Sequence, residues 1–164
     1  MPDVVLATLN AKWEHASFGL RCLHAALGPL ADRCALHEAT IHDRPSDVVE
    51  ALLAHQPRLI GLGVYVWNAG LMLEVVRQLK ALRPDVVVVL GGPEVSHEVD
   101  RQPLCALADV VVTGEGEAAF AQLVAGFLAD PTAPLPHVIK GGAPDLATLP
   151  SPYARYTDDD LHKR

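Results

Sequence analysis

The chain has 164 residues, half of them hydrophobic and a fifth charged, which suits one globular domain with a sizeable core. A net charge of −7, a pI near 5.5 and scattered basic residues exclude a nucleic-acid footprint. No apolar run approaches the roughly 20 residues of a membrane span, and a strand-like run begins at Val4, so no signal peptide is expected.

In chain order, Val4 to Leu9 reads as a short buried strand. Leu20, Leu23 and Leu27 recur at helical spacing, and Gly28-Pro29 ends that helix. Ala35 to Ile41 predicts a second strand, more polar through His37 and Glu38 and therefore suited to a sheet edge. Ser46 or Asp47 is expected to cap a helix carrying Val49, Leu52 and Leu53. Leu59 to Val64 is the third strand. Leu71, Val75, Leu79 and Leu82 mark a helix stopped before Pro84. Val86 to Leu90 is a β-branched run of the kind found in parallel strands covered on both faces. Asp109 to Thr113 is the fifth strand. Phe120, Leu123, Val124, Phe127 and Leu128 predict the next helix.

The alternation predicts an α/β fold: a doubly wound, parallel, five-stranded sheet. With the polar second strand at an edge, the expected order is the flavodoxin-like (Rossmann-like) 2-1-3-4-5. Six prolines punctuate residues 130–152, where His137 to Lys140 is a candidate short strand. Residues 157–164 have almost nothing to bury and read as a linker. The expected division is a domain over 1–142 and a linker over 143–164. Cys22, Cys34 and Cys105 form no CxxC pair; they suit a reducing cytoplasm and read as small buried side chains.

Four runs follow directly on predicted strands: Asn10 to His15, Tyr65 to Asn68, Gly91 to Glu94 and Gly114 to Glu117. Loops at the carboxyl ends of parallel strands share one rim, where ligands bind. The candidate binding residues are therefore Trp13, His15, Gly63, Tyr65, Trp67, Asn68, Gly91, Gly92, Gly114 and Gly116. Glycines would admit a ligand to the backbone, or meet a turn's need for positive φ at Gly91 or Gly92. Trp13, Tyr65 and Trp67 would stack on a ligand or partner. Asn68 could hydrogen-bond to it, or Asn68 and Ser17 could cap helices. The chain has no phosphate-binding GxxxxGK, and a response-regulator reading fails at Leu9-Asn10 and Val64-Tyr65. Gly114 to Ala119 matches GxGxxA, but it follows the fifth strand and would turn two glutamates toward a pyrophosphate. No catalytic residue is assigned, and no spacing matches a known metal-ligand motif.

The segments Asn10 to Arg21, Ile60 to Asn68, Val89 to Glu94 and Asp109 to Glu117 resemble those of cobalamin-binding domains at the front of radical SAM enzymes. Leu149 to Tyr153 resembles the linker that precedes the radical SAM barrel. The resemblance implies a corrin ring held over the rim with its nucleotide tail running down into the sheet. In the general cobalamin pattern of DxHxxG, SxL and GG, Gly63-Val64-Tyr65 occupies the SxL place and Gly91-Gly92 the GG place. DxHxxG is absent, because His15 lies four residues before Gly19 with no aspartate two before it. The chain also lacks CxxxCxxC, so S-adenosylmethionine and the iron–sulfur cluster would belong to a missing C-terminal radical SAM domain. That domain and cobalamin are the expected partners, with neither nucleic acid nor membrane. Two alternatives are an interaction domain that has lost the cofactor and a nucleotide-binding Rossmann-like protein. Gly92→Trp is expected to abolish cobalamin binding and leave folding intact.

Overall fold

The computed structural model describes residues 1–162 except Glu14, Pro144 and Leu146, with side chains described to residue 160. Glu14 of the first loop motif, Pro144 of the proline-rich stretch, and Lys163 and Arg164 of the predicted linker lie outside the described residues. Strands β1 (Val4–Asn10), β2 (Cys34–Thr40), β3 (Leu59–Gly63), β4 (Val87–Gly91) and β5 (Val110–Thr113) alternate with α1 (Phe18–Ala26), α2 (Pro45–Ala54), α3 (Ala69–Leu82) and α4 (Pro103–Leu107). Then follow α5 (Glu117–Ala129), β6 (Val138–Lys140) and α6 (Asp158–His162).

All neighbouring strands are parallel, in the order β2-β1-β3-β4-β5-β6. The predicted 2-1-3-4-5 order is present and the polar β2 does sit at an edge. The sheet has six strands rather than five, because the candidate strand in the tail pairs with β5 through Val138–Lys140. Only three residues long, β6 carries too little hydrophobic pattern to count as a sheet strand from sequence.

Side chains alternate across each strand, so every strand feeds two cores. Val5, Leu9, Ile60, Leu62, Val88 and Leu90 pack under α2, α3 and α4. Leu6, Leu59, Val89, Val110 and Val112 pack under α1 and α5, against Leu20, Phe120 and Val124. The unbroken β-branched run of β4 follows from burial on both faces.

Three local expectations change. Helix α2 is not capped by Ser46 or Asp47: Arg44 holds the cap position, Pro45 opens the helix, and Asp47 pairs with Arg44 at 2.9 Å. Proline's fixed φ and missing N–H favour that first position. Cys34 and Cys105 are buried, but Cys22 is half-buried. The segment after Pro152 is not idle: it docks on α1 through an ion pair between Asp160 and Arg21. No helix among the described residues is long and apolar enough to cross a membrane.

Candidate functional site: a glycine-floored cavity at the switch point

From β1 the chain crosses outward to β2 and then returns to the other side of β1 as β3. Ligands of open α/β sheets bind at the carboxyl end of such a switch point. A cavity of about 390 Å³ lies there, roofed by α1 and α5. Its volume falls in the usual range of small-molecule sites, about 300–1,000 Å³.

The floor of this cavity follows from strand register. Leu6, Gly61 and Val89 form one row across β1, β3 and β4, and Thr8, Gly63 and Gly91 form the next. The two-residue side-chain period turns both rows toward α1 and α5. Gly61 is filled by its neighbours, since a Cβ there would come within 2.8 Å of Leu6 and 3.1 Å of Phe120. At Gly91 a Cβ would meet nothing nearer than the Val112 carbonyl at 3.8 Å. At Gly63 a Cβ would reach ordinary contact with Thr8 and Tyr65 at 3.4–3.5 Å, so the inner row is the more tightly packed and the open side-chain space of the outer row lies at Gly91.

Of the ten residues singled out from sequence, Gly63, Tyr65, Gly91, Gly92, Gly114 and Gly116 line this cavity. Trp13 and His15, in the loop after β1, and Trp67, after β3, stand on the same rim without lining it. Trp67 remains half exposed yet fixed. Its indole N–H donates to the Leu9 carbonyl at 3.1 Å, and its ring stacks on Tyr65 at 4.6 Å and 5°. It presents a flat apolar face at the mouth. Burial pushes the Tyr65 phenol above its usual pKa, against a hydrogen bond with Ser17 that pulls it down.

Asn68 is a buried tie between β1 and the end of β3. Its Oδ1 accepts from the Tyr65 N–H, and its Nδ2 reaches the Leu9 and Gly63 carbonyls and the Thr8 hydroxyl. It occupies the cap position of α3 without a side-chain cap bond, whereas Ser17 does cap α1 by accepting from Leu20.

Gly92 also differs from expectation. Its φ is +110°, and a Cβ would run into the backbone carbonyl of Val64. Gly92→Trp would therefore disturb the fold itself, and the glycine of the pair with open side-chain space is Gly91.

Sequence reasoning missed Ser96 and much of the wall. The Ser96 hydroxyl donates to the Gly92 carbonyl at 2.8 Å and accepts from the Gly114 N–H at 3.1 Å, joining the loops after β4 and β5. A single serine between two loops leaves no periodic signal. Leu20 and Leu23 were legible as helical core, and only the missing side chains opposite them turn that core into a wall.

The lining is mostly apolar, and among the described residues no lysine or arginine contributes to it, while Glu115 and Glu117 do. A pyrophosphate would find carboxylates and no cation there. The glycine floor and leucine walls enclose a mostly apolar space.

A profile described as "B12 binding domain" matches residues 4–124. The chain belongs to the B12 binding domain family, and cobalamin is the cofactor that this membership assigns to it. It is 37% identical over 79 residues to the "Cobalamin-dependent radical SAM methyltransferase TokK" of Streptomyces tokunonensis. It is 40% identical over 78 residues to a "2-(S-pantetheinyl)-carbapenam-3-carboxylate methyltransferase" of Streptantibioticus cattleyicolor. These matches cover 46% and 45% of this chain but only 11% of each relative. Among solved structures, a cobalamin-binding protein from Desulfitobacterium hafniense matches with a TM-score of 0.56 at 22% identity, over 77% of this chain and 58% of that one. A CheY-like protein (tadZ) from Pseudomonas aeruginosa matches with a TM-score of 0.55 at 17% identity, over 83% of this chain and 100% of that one. At these identities the two structures share the fold. The interaction-only and dinucleotide alternatives are not favoured.

Proposed function

We propose that this chain is the cobalamin-binding module of a larger radical SAM enzyme. The observation that carries the reading is the cavity floored by Gly63 and Gly91, with open side-chain space at Gly91, beneath α1 and α5 at the switch point. Gly63, Gly91 and Gly92 would hold the nucleotide tail of the cofactor between the helices. Trp13, Tyr65 and Trp67 would offer apolar ring faces to the corrin at the rim, and Gly114 and Gly116 would admit it. His15 stands on the same rim. Exposed in the loop after β1, it would contact the cofactor from that rim.

Bound cobalamin supplies a cobalt centre that carries a methyl group or assists a radical step. This chain's part is to orient the corrin and exclude water from its lower side. S-adenosylmethionine and the iron–sulfur cluster belong to a C-terminal radical SAM domain, for which residues 143–164 are the connection. The three unbridged cysteines suit the reducing cytoplasm.

Titration with hydroxocobalamin, followed in the visible range and by retention on desalting, tests the reading. We expect a spectral shift and co-elution with the wild-type chain. Gly91→Leu should abolish both while preserving the circular dichroism spectrum. No shift and no retention in the folded wild-type chain would overturn it.

A further inference from the structure

The C-terminal segment makes contacts that the cofactor cavity does not explain. Tyr153 packs on Phe18 of α1, with ring centroids 6.3 Å apart. The Tyr156 ring lies 4.5 Å beneath the Arg21 guanidinium. Thr157 and Asp160 cap one another across the first turn of α6: the Thr157 N–H and hydroxyl donate to Asp160 Oδ2, and the Asp160 N–H donates back to the hydroxyl. The other oxygen of Asp160 takes Arg21 Nη2 at 2.8 Å.

Arg21 in turn faces the first rim loop. Its Nη1 donates to Glu38 Oε1 at 2.7 Å and to the Ser17 carbonyl at 2.9 Å. Glu38 Oε2 accepts from Asn10 Nδ2 at 2.6 Å and from the Ser17 N–H at 2.7 Å. Asn10 Nδ2 also donates to the His15 carbonyl. One carboxylate thus grips both ends of the loop that carries Trp13 and His15, and one guanidinium joins that carboxylate to the C-terminal segment. The side chains of Arg21 and Glu38 are each only 3% exposed, and that of Asp160 is 10% exposed. Both terminal nitrogens of this guanidinium are paired while its Nε is buried without a hydrogen-bond partner among the described residues, so its burial depends on the contacts at Nη1 and Nη2. Removing Asp160 and the Tyr156 ring would let water reach Nη2 and draw Arg21 away from Glu38 and Ser17.

We propose that Tyr153–Asp160 forms a strap, latched by Arg21, that holds the first rim loop in its cofactor-ready shape, so that docking of the strap and binding of cobalamin favour each other. Arg21 is then a positioning residue, acting through Glu38 on a loop it does not belong to. The proposal rests on the cobalamin reading for its ligand but not for the latch itself. Such coupling is reciprocal: whatever the strap adds to cofactor affinity, the cofactor adds to strap order.

Hydrogen exchange on the 164-residue chain, with and without hydroxocobalamin, tests it. In Asp160→Ala we expect faster exchange across 153–160 and also at Ser17. We expect hydroxocobalamin to bind about fivefold or more weakly, a typical coupling magnitude. Asp160→Glu should recover both in part, and Tyr156→Ala should repeat the loss by a second route. In the wild type, hydroxocobalamin should slow exchange within the strap. A released strap with unchanged exchange at Ser17 and unchanged affinity would overturn the proposal. If the wild-type chain does not bind hydroxocobalamin at all, the cofactor reading fails, and the Ser17 exchange in Asp160→Ala still decides whether the latch exists.

Discussion

Gly91 and Gly92 are adjacent and perform different tasks. Gly92 turns the chain with a φ of +110°, and a Cβ there would run into the Val64 backbone, so no side chain fits. Gly91 still belongs to β4 and leaves its side-chain space to the cavity. Gly92→Ala should therefore cost about 2 kcal/mol or more in urea denaturation, from strain at a positive φ and a backbone clash. Gly91→Ala should change stability far less. Glu38 offers a second test at this scale. Burial alone would raise its pKa, but the hydrogen bonds from Asn10, Ser17 and Arg21 outweigh burial and hold it below the ordinary 4.5. A lowered native pKa means that the stabilisation is complete above the unfolded value and disappears as pH falls through the native one. Urea denaturation from pH 7 down to pH 3 should thus show a steeper acid loss in the wild type than in Glu38→Gln. At pH 7 that variant should already be weaker by about 3 kcal/mol, because it breaks a buried ion pair from one side.

At the scale of elements, β3 is the unusual strand. It is central, buried on both faces, and carries Gly61 and Gly63 where β-branched residues pack best. The inner glycine accommodates Leu6 and Phe120, so Gly61→Ala forces one of them off its rotamer. It should cost about 1–3 kcal/mol, the usual range for overpacking, measured by thermal or chemical denaturation. The outer glycine lines the cavity, where a Cβ would reach ordinary contact with Thr8 and Tyr65. From sequence, both could be read as sites of close approach, but which group approaches each depends on register and on the helix above. The long apolar runs of β1, β3, β4 and β5 and the periodic faces of α1, α3 and α5 were legible because burial repeats along them. The short α4 was not, since five residues hold too little period. The docking of residues 153–160 escaped for another reason: its anchor is an ion pair between residues 139 positions apart, and charge pairing leaves no periodic trace. At the rim, the four loops were correctly gathered at one edge of the sheet. The division between cavity-lining glycines, exposed rings and the buried Asn68 required side-chain directions that loop sequences do not encode.

At the scale of the whole molecule, the cavity is a cost that a ligand can remove. Space beneath two helices forfeits dispersion contacts on the walls. A ligand that fills it binds the native state alone and stabilises it by mass action. Leu6, Leu20, Leu23 and Phe120 belong at once to the core under α1 and α5 and to the cavity lining. Filling the cavity should therefore stiffen chiefly the core under α1 and α5, while Leu62 and Leu90 carry its contact with the core under α2 and α3. Hydroxocobalamin at 100 times its dissociation constant should stabilise the chain by about 2.7 kcal/mol, read as a rise in Tm. Gly91→Leu should raise the ligand-free Tm slightly by filling the same space, and should lose the ligand-induced rise. The two effects have one origin, so they should be non-additive. An equal ligand-induced rise in wild type and Gly91→Leu would move the binding site away from the glycine floor. In hydrogen exchange, protection on binding should concentrate in α1, α5 and the carboxyl ends of β3 and β4, with a smaller effect at α2 and α3.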